Sequence, residues 1–386
     1  MYQRKLNLAF SSTQTCFLWG PRQTGKSTLL KTLFPDAIFY DLLQADEHRR
    51  LLRNPELIRQ EMEAKGLNKD TQKLPTIIDE VQKNPELLDE VHWLIENRGL
   101  RFILCGSSPR KLMRSHSNLL GGRAVRYELY PLIYQEIPDF SLLKALNHGL
   151  IPRHYLHRSP AKLLDAYIGD YLKEEVMVEA LTRNLPAFNR FLEVAALSNG
   201  EIINYTNIAS ECGVSAPTVK GYYQILEDTL IGRFLPAYRK KMKRRLIEAP
   251  KFIFFDIGIV AHLTRRGTIK EGSELFGKAF EQFIMLEVFA HAHYSGINYP
   301  IYYWRTASQY EVDLILGKED VAIEIKATQM VMDKHLKGLR AFKEEHQSDC
   351  ILVSLDSRPR KTADNILILP WQEFLTRLWS NQINVY

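Results

Sequence analysis

Cysteine is scarce in this chain: four in 386 residues, Cys16, Cys105, Cys212 and Cys350, far apart and never in a CxxC pair. That excludes a zinc ribbon and, at this length, a disulfide framework; all four read as small buried apolar residues. Long apolar runs are missing as well. None approaches the ~18 residues that cross a bilayer, and the opening MYQRKLNLAFSSTQ lacks the apolar core of a signal peptide. A soluble, cytoplasmic protein without a membrane partner is therefore expected. No internal repeat and no low-complexity linker breaks the chain. Nor is there much excess of one charge: 51 Lys and Arg against 45 Asp and Glu leave +6.

What is present is an ordinary globular composition, 45% hydrophobic and 25% charged, long enough for two or three domains. The basic charge is unevenly spread. Arg239, Lys240, Lys241, Lys243, Arg244 and Arg245 fall within seven residues, a density that suits a polyanion partner.

The first third alternates short apolar runs with amphipathic stretches. Strands are expected at Thr15–Trp19, Ala37–Leu42, Thr76–Asp79, Arg101–Cys105 and Ala124–Leu129. Helices are expected at Lys26–Leu33, Gln44–Ala64, Pro85–Asn97 and Pro109–Ser115. Such alternation implies an α/β domain, a parallel sheet with helices on both faces. Between the first strand and first helix stand Gly20, Pro21, Arg22, Gln23, Thr24, Gly25, Lys26, Ser27 and Thr28, which fit GxxxxGK[ST]. Glycines let backbone N–H groups curl around phosphates, and the helix N-terminus adds positive partial charge. Lys26 would reach the β- and γ-phosphates of ATP, and the Ser27 hydroxyl would ligate Mg²⁺. PTIIDE supplies the carboxylates: Asp79 to orient the magnesium shell and Glu80 to polarise the attacking water. Ser107, after the fourth strand, would either sense the γ-phosphate or cap the following helix. Arg123, behind Gly121-Gly122, is either a plain surface arginine or an arginine finger reaching across a homo-oligomeric interface, ring or dimer, with Arg110 and Arg114 as competitors.

The middle of the chain turns helical, with Leu163–Leu181 and Phe188–Leu197 the clearest stretches. Asn207–Val219 has helix-turn-helix spacing: Ala209 for close crossing, Gly213 for the turn, Ser215 as cap, Val214 and Val219 for a small core. Thr218, Lys220 and Gln224 then face outward, where contacts to DNA would be made. The same arrangement also serves in ATPases as a spacer or protein contact.

The last third carries a helix at Ser273–Tyr294, strands at Ile301–Trp304, Tyr310–Leu316 and Val321–Ala327, a helix near Asp333–Glu345 and a strand at Cys350–Leu355. If Gly317–Asp320 turns the hairpin, counting sets Asp313 opposite Glu324 and Glu311 opposite Lys326 on one face. Val312, Leu314, Ile323 and Ile325 share the other. Paired carboxylates can hold Mg²⁺ and an adjacent amine can position a water; a solvated hairpin with cross-strand ion pairs is the alternative.

The order helix, three strands, helix, strand, with its D…ExK pattern, resembles the PD-(D/E)XK, or restriction-endonuclease-like, fold. Glu281 on the preceding helix then matches an additional metal-binding acid. Taken together, GPRQTGKS, IIDE, CGSS, GGRAVRYELYPL, the stretch from Thr218, FFDIG and EVDLIL…AIEIKAT resemble a prokaryotic group of AAA-family ATPases carrying a C-terminal domain of unknown function. The resemblance implies three modules: a P-loop AAA-type ATPase domain over 1–135, a helical region with a winged helix-turn-helix over 136–250, and a nuclease-like α/β domain over 251–386. The resemblance supplies no defined role; the modules weighed together lead to an ATP-hydrolysing machine acting on DNA, with a possible Mg²⁺-dependent endonuclease centre at Asp313, Glu324 and Lys326. The other reading is a nucleotide-gated switch whose C-terminal domain docks a protein.

Overall fold

The computed structural model describes residues 2–110, 112, 120–172, 184–240 and 244–385. The chain divides into two units, Met1–Pro131 with Asp228–Ile231, and Leu132–Glu227 with Gly232–Tyr386.

In the first unit β1 (Thr15–Trp19), β2 (Phe39–Asp41), β3 (Thr76–Asp79), β4 (Phe102–Gly106) and β5 (Ala124–Glu128) form one sheet in the order β2-β3-β4-β1-β5. Every pairing is parallel. β1, β3 and β4 are buried along their whole length, which is why they read as unbroken apolar runs. Among the described residues its α-helices include α1 (Lys26–Leu33), α2 (Ala45–Arg53), α3 (Leu57–Ala64) and α4 (Leu87–Arg98). The single helix expected over Gln44–Ala64 is two. Pro55 disfavours helical backbone at Asn54, which sits at φ −139°, ψ 76° and ends α2. Leu51, Ile58, Met62, Leu87, Val91 and Leu94 pack with Phe17, Ile78 and Leu104 of the sheet. Parallel register aligns the ends of the central strands, pairing Trp19 with Gly106 and Asp79 with Cys105. The loops after β1, β3 and β4 therefore emerge at one edge.

The second unit begins helical, with α5 (Leu142–His148), α6 (Leu185–Leu197), α7 (Tyr205–Cys212) and α8 (Ala216–Asp228). The helix expected over Leu163–Leu181 runs as Ala161–Ala166 and a wider turn to Leu172, and its remainder lies outside the described residues. β6 (Gly232–Leu235), for which the pattern carried no signal, pairs antiparallel with β7 (Lys251–Phe254). α9 (Ile257–Leu263) is capped by the buried Asp256, whose carboxylate accepts the amides of Ile259 and Leu150. α10 (Glu274–Tyr294) follows, capped by Ser273.

A six-stranded mixed sheet closes the unit: β8 (Ile301–Arg305), β9 (Glu311–Leu316), β10 (Val321–Lys326), β11 (Asp349–Ser354), β12 (Arg360–Lys361) and β13 (Leu367–Pro370), in the order β12-β13-β11-β10-β9-β8. α11 (Lys337–Lys343) links β10 to the parallel β11, and α12 (Trp371–Trp379) ends the unit. β12, β13 and α12 extend the expected helix-strand order. The counted register holds at Val321–Leu316, Ala322–Ile315 and Ile323–Leu314. Strict alternation along β9 does not hold. Tyr302 pairs with Ile315 and Trp304 with Val312, so Asp313 and Leu314 oppose Tyr303 alone. This bulge brings Val312 into the same apolar cluster as Ile315 and Ala322. α11 approaches β9 so closely that a Cβ on Gly338 would stand 1.8 Å from the Glu311 carbonyl oxygen.

Glu287 of α10 is buried, accepting the Tyr134 amide at 2.6 Å and the Trp379 indole N–H at 2.8 Å. Burial pushes its carboxyl up to about 8. The folded state thus holds a proton that the unfolded chain releases near pH 4.3, and stability falls as pH rises from there towards 8. Urea unfolding from pH 5 to 8 should show this slope in the wild type and lose part of it in Glu287→Gln.

Candidate functional site

The loop after β1 wraps into a cradle. Gln23 and Gly25 take positive φ, 63° and 95°, and α1 starts at Lys26 with no side chain capping its first-turn amides. Those amides are the donors a phosphate needs. A Cβ at Gly20 would stand 2.5 Å from the Leu129 carbonyl oxygen, so only glycine passes there. Thr24 is fully buried and its hydroxyl donates to the Pro21 carbonyl at 2.8 Å. Lys26 is buried with its ammonium on the loop's own carbonyls, Gly20 at 2.6 Å and Pro21 at 3.0 Å. Ser27 is half-buried, while Arg22, Gln23 and Thr28 are exposed.

Asp79, buried at the end of β3, accepts the Glu80 amide at 3.1 Å. Glu80 takes the left-handed conformation at φ 58°. Burial first, and the Asp79 charge second, push its carboxyl above the ordinary range, against the pull of Lys26. The Gln82 amide donates to Glu80 and, at 3.2 Å, to the Ser107 hydroxyl. The Ser108 hydroxyl accepts the Arg110 amide at 3.1 Å, and most of the helix expected over Pro109–Ser115 lies outside the described residues. Arg123 is exposed and paired with Glu96, Arg110 is paired with Asp228, and Arg114 lies outside the described residues.

Residues 12–138 match the AAA domain family. The N-terminal segment is a P-loop ATPase domain of the AAA type. Residues 140–270 and 276–374 match two domains of unknown function, DUF8612 and DUF4143. Uncharacterized proteins of Mycobacterium bovis (Mb2031c) and Mycobacterium tuberculosis (Rv2008c) are each 26% identical over 337 residues, 84% of this chain and 73% of theirs. Among solved structures, the Walker-type ATPase PABY2304 of Pyrococcus abyssi is 16% identical with a TM-score of 0.40, covering 64% of this chain and 90% of that one. A signal-transduction ATPase with a tetratricopeptide repeat sensor, PH0952 of Pyrococcus horikoshii, is 14% identical with a TM-score of 0.23, over 77% and 48%.

Beyond the ATPase domain, the second unit holds a cluster of charge where β9 and β10 part. The ladder between them is recorded as far as Leu314–Ile323. The Ile325 amide is then bonded by the Asp313 carboxylate, at 2.7 Å. Lys326 lies 2.5 Å from Glu324 and 3.7 Å from Asp313. Glu311, set opposite Lys326 by counting, is instead held by the buried Lys251 at 2.6 Å and by Arg305 at 2.9 Å, because the bulge breaks the register there. Burial and then the Asp313 charge raise Glu281 to about 8 and push Glu324 well above the usual carboxylate range. Burial works against the Lys326 ammonium, but Asp313 and Glu324 outweigh it and hold its pKa up. Glu324 Oε2 is buried without a hydrogen-bond partner, an orphaned acceptor that suits a cation. Among the described residues, no three His, Cys, Asp or Glu side chains stand together as a ready metal-ligand set; the Lys326 ammonium already sits against Asp313 and Glu324.

In the helix-turn-helix segment Gly213 makes the turn at φ 66° and Ser215 accepts the Thr218 amide at 3.3 Å. Lys220 and Gln224 are exposed. Thr218 is half-buried with its hydroxyl on Ser215, and Val214 is half-buried rather than core. Of the basic cluster, Arg239 and Arg245 are exposed, Lys240 pairs with Glu319 at 2.5 Å, and Arg244 pairs with Glu344 and Glu345. Lys241 and Lys243 lie outside the described residues. Among the described residues no helix is long and apolar enough to cross a membrane.

Arg4 carries no motif, and sequence reasoning missed it. Its guanidinium donates to the Thr24 carbonyl at 2.6 Å and to those of Tyr130 and Pro131 at 2.6 and 3.0 Å, bracing the cradle from behind. A charged donor bound this way contributes substantially to loop order. Arg4→Ala should weaken binding of a fluorescent ATP analogue about tenfold and leave β-sheet circular dichroism unchanged.

Proposed function

We propose that this chain is an ATP-hydrolysing, DNA-associated machine whose C-terminal unit carries a Mg²⁺-dependent nuclease-like centre. The observation that carries the second half is the joining of Asp313, Glu324 and Lys326 at the bulge, with one Glu324 oxygen buried and unpartnered.

The cradle amides, Lys26, Ser27 and Asp79 would hold ATP and its magnesium. Bound magnesium would supply charge that stabilises the phosphates as the γ-bond breaks. Lys26 must leave the Gly20 and Pro21 carbonyls to reach a phosphate. Glu80 accepts a proton from water, and Ser107 reads the γ-phosphate. In the second unit Asp313 and Glu324 would hold the cation, with Glu281 as a further acid, and Lys326 would position water against a DNA phosphate. Lys220, Gln224, Arg239 and Arg245 offer exposed contacts to the DNA backbone. Arg123 remains the proposed finger in a homo-oligomer.

One observation favours the second reading, a nucleotide-gated switch that docks a protein: Lys240 and Arg244 are already neutralised by acids of their own unit.

ATP turnover with single-stranded, duplex and four-way-junction DNA at two salt concentrations separates them. The machine reading expects stimulation by one DNA form, weakened by salt and abolished in Lys26→Ala. Turnover indifferent to every DNA selects the switch. Cleavage of labelled DNA in Mg²⁺ should fall at least about a hundredfold in Asp313→Ala and Lys326→Ala; cleavage unchanged in both removes the nuclease assignment.

A further inference from the structure

We infer that Gln82 is a positioning residue for ATP hydrolysis, its side-chain amide tying the carboxylate of Glu80 to the hydroxyl of Ser107 so that both respond together to a γ-phosphate. This rests on the roles proposed above for Glu80 and Ser107.

Three elements meet at this amide. Glu80 leaves the end of β3, Gln82 sits in the short turn Val81–Lys83, and Ser107 follows β4. Gln82 is 5% exposed, and its Nε2 donates both to a Glu80 oxygen and to the Ser107 Oγ. The chemistry of the partners orients the amide. An ionised carboxylate accepts only, so the end that donates must face it. The other end, Oε1, is then turned to Gly106, where it is buried without a hydrogen-bond partner. A Cβ on residue 106 would stand 2.2 Å from that oxygen and 2.7 Å from the Trp19 ring, so glycine alone leaves the amide room.

Two features of this arrangement are costly, and both serve the link. Glu80 holds a left-handed backbone that a non-glycine residue adopts under strain. Gln82 keeps a buried acceptor unsatisfied. A methionine or leucine would fill the same space without that orphan, so packing does not account for a glutamine. An amide whose two N–H groups reach two acceptors does account for it. A hydroxyl that accepts from Gln82 can turn its own proton towards a phosphate oxygen, and any displacement of Ser107 then moves the amide that holds Glu80.

The test uses the full chain, with Gln82→Met as a variant of similar volume that lacks the amide. In nucleotide-free protein, Glu80→Gln and Ser107→Ala should each shift the ¹H–¹⁵N resonance of the Gln82 side-chain amide, and Mg²⁺ with a non-hydrolysable ATP analogue should shift it again. In turnover, Gln82→Met should lower kcat at least about tenfold, with KM and the affinity for a fluorescent ATP analogue unchanged. Gln82→Met combined with Ser107→Ala should be no slower than the slower single variant. An amide resonance indifferent to both neighbours overturns the inference, and needs no foldable Gln82 variant. Wild-type kcat in a folded Gln82→Met, or losses that multiply in the double variant, overturn it as well. Glu80→Gln that still hydrolyses ATP would instead remove the role given to Glu80, an outcome read independently of Gln82.

Discussion

A strand buried on both faces can carry polar chemistry only at its ends. Interior positions of such a strand have no water to pay the desolvation of a charge. In the first unit β1, β3 and β4 are buried along their length and apolar in their interiors, and the charged and hydroxylated residues of the site stand at or beyond their C-terminal ends: Lys26 beyond β1, Asp79 and Glu80 at β3, Ser107 after β4. Parallel register sets these ends at one edge, and α1 adds its uncapped amides there. The proposed ATP site follows from burial and register together.

The second unit meets the same constraint differently. Asp313 and Glu324 are buried acids inside a sheet. They are tolerable because the bulge parts β9 from β10 there, so that Asp313 is satisfied by a backbone amide and Lys326 compensates its charge and that of Glu324. The compensation is incomplete: Glu324 retains an unpartnered oxygen. Buried acids left short of partners are poor stabilisers. Glu287, by contrast, has both an amide and an indole as donors and belongs to the packing of α10.

Much was legible beforehand. Strand-helix alternation located all five strands of the first sheet, and GPRQTGKS and IIDE named the cradle and its acids, because these motifs are contiguous and their chemistry is local. The hairpin register was reached by counting from its turn. What failed to show was non-local or short. Pro55 divided a helix that periodicity ran together, β6, β12 and β13 were not located, and Arg4 reaches the cradle from an extended segment with no pattern of its own. The basic cluster read as a free polyanion surface because its acidic partners lie some 80 to 100 residues away along the chain.

By itself, the sequence determined that a glycine-rich loop opens a helix, that two carboxylates end a buried strand, and that a D…ExK hairpin lies near the end of the chain. Each is set by neighbours within a few residues. Only the tertiary structure decided that Gln82 joins Glu80 to Ser107, and that Glu311 belongs to Lys251 and Arg305 while Asp313 turns to the Ile325 amide. Those choices depend on strand order and on one extra residue in β9, and no local pattern encodes either.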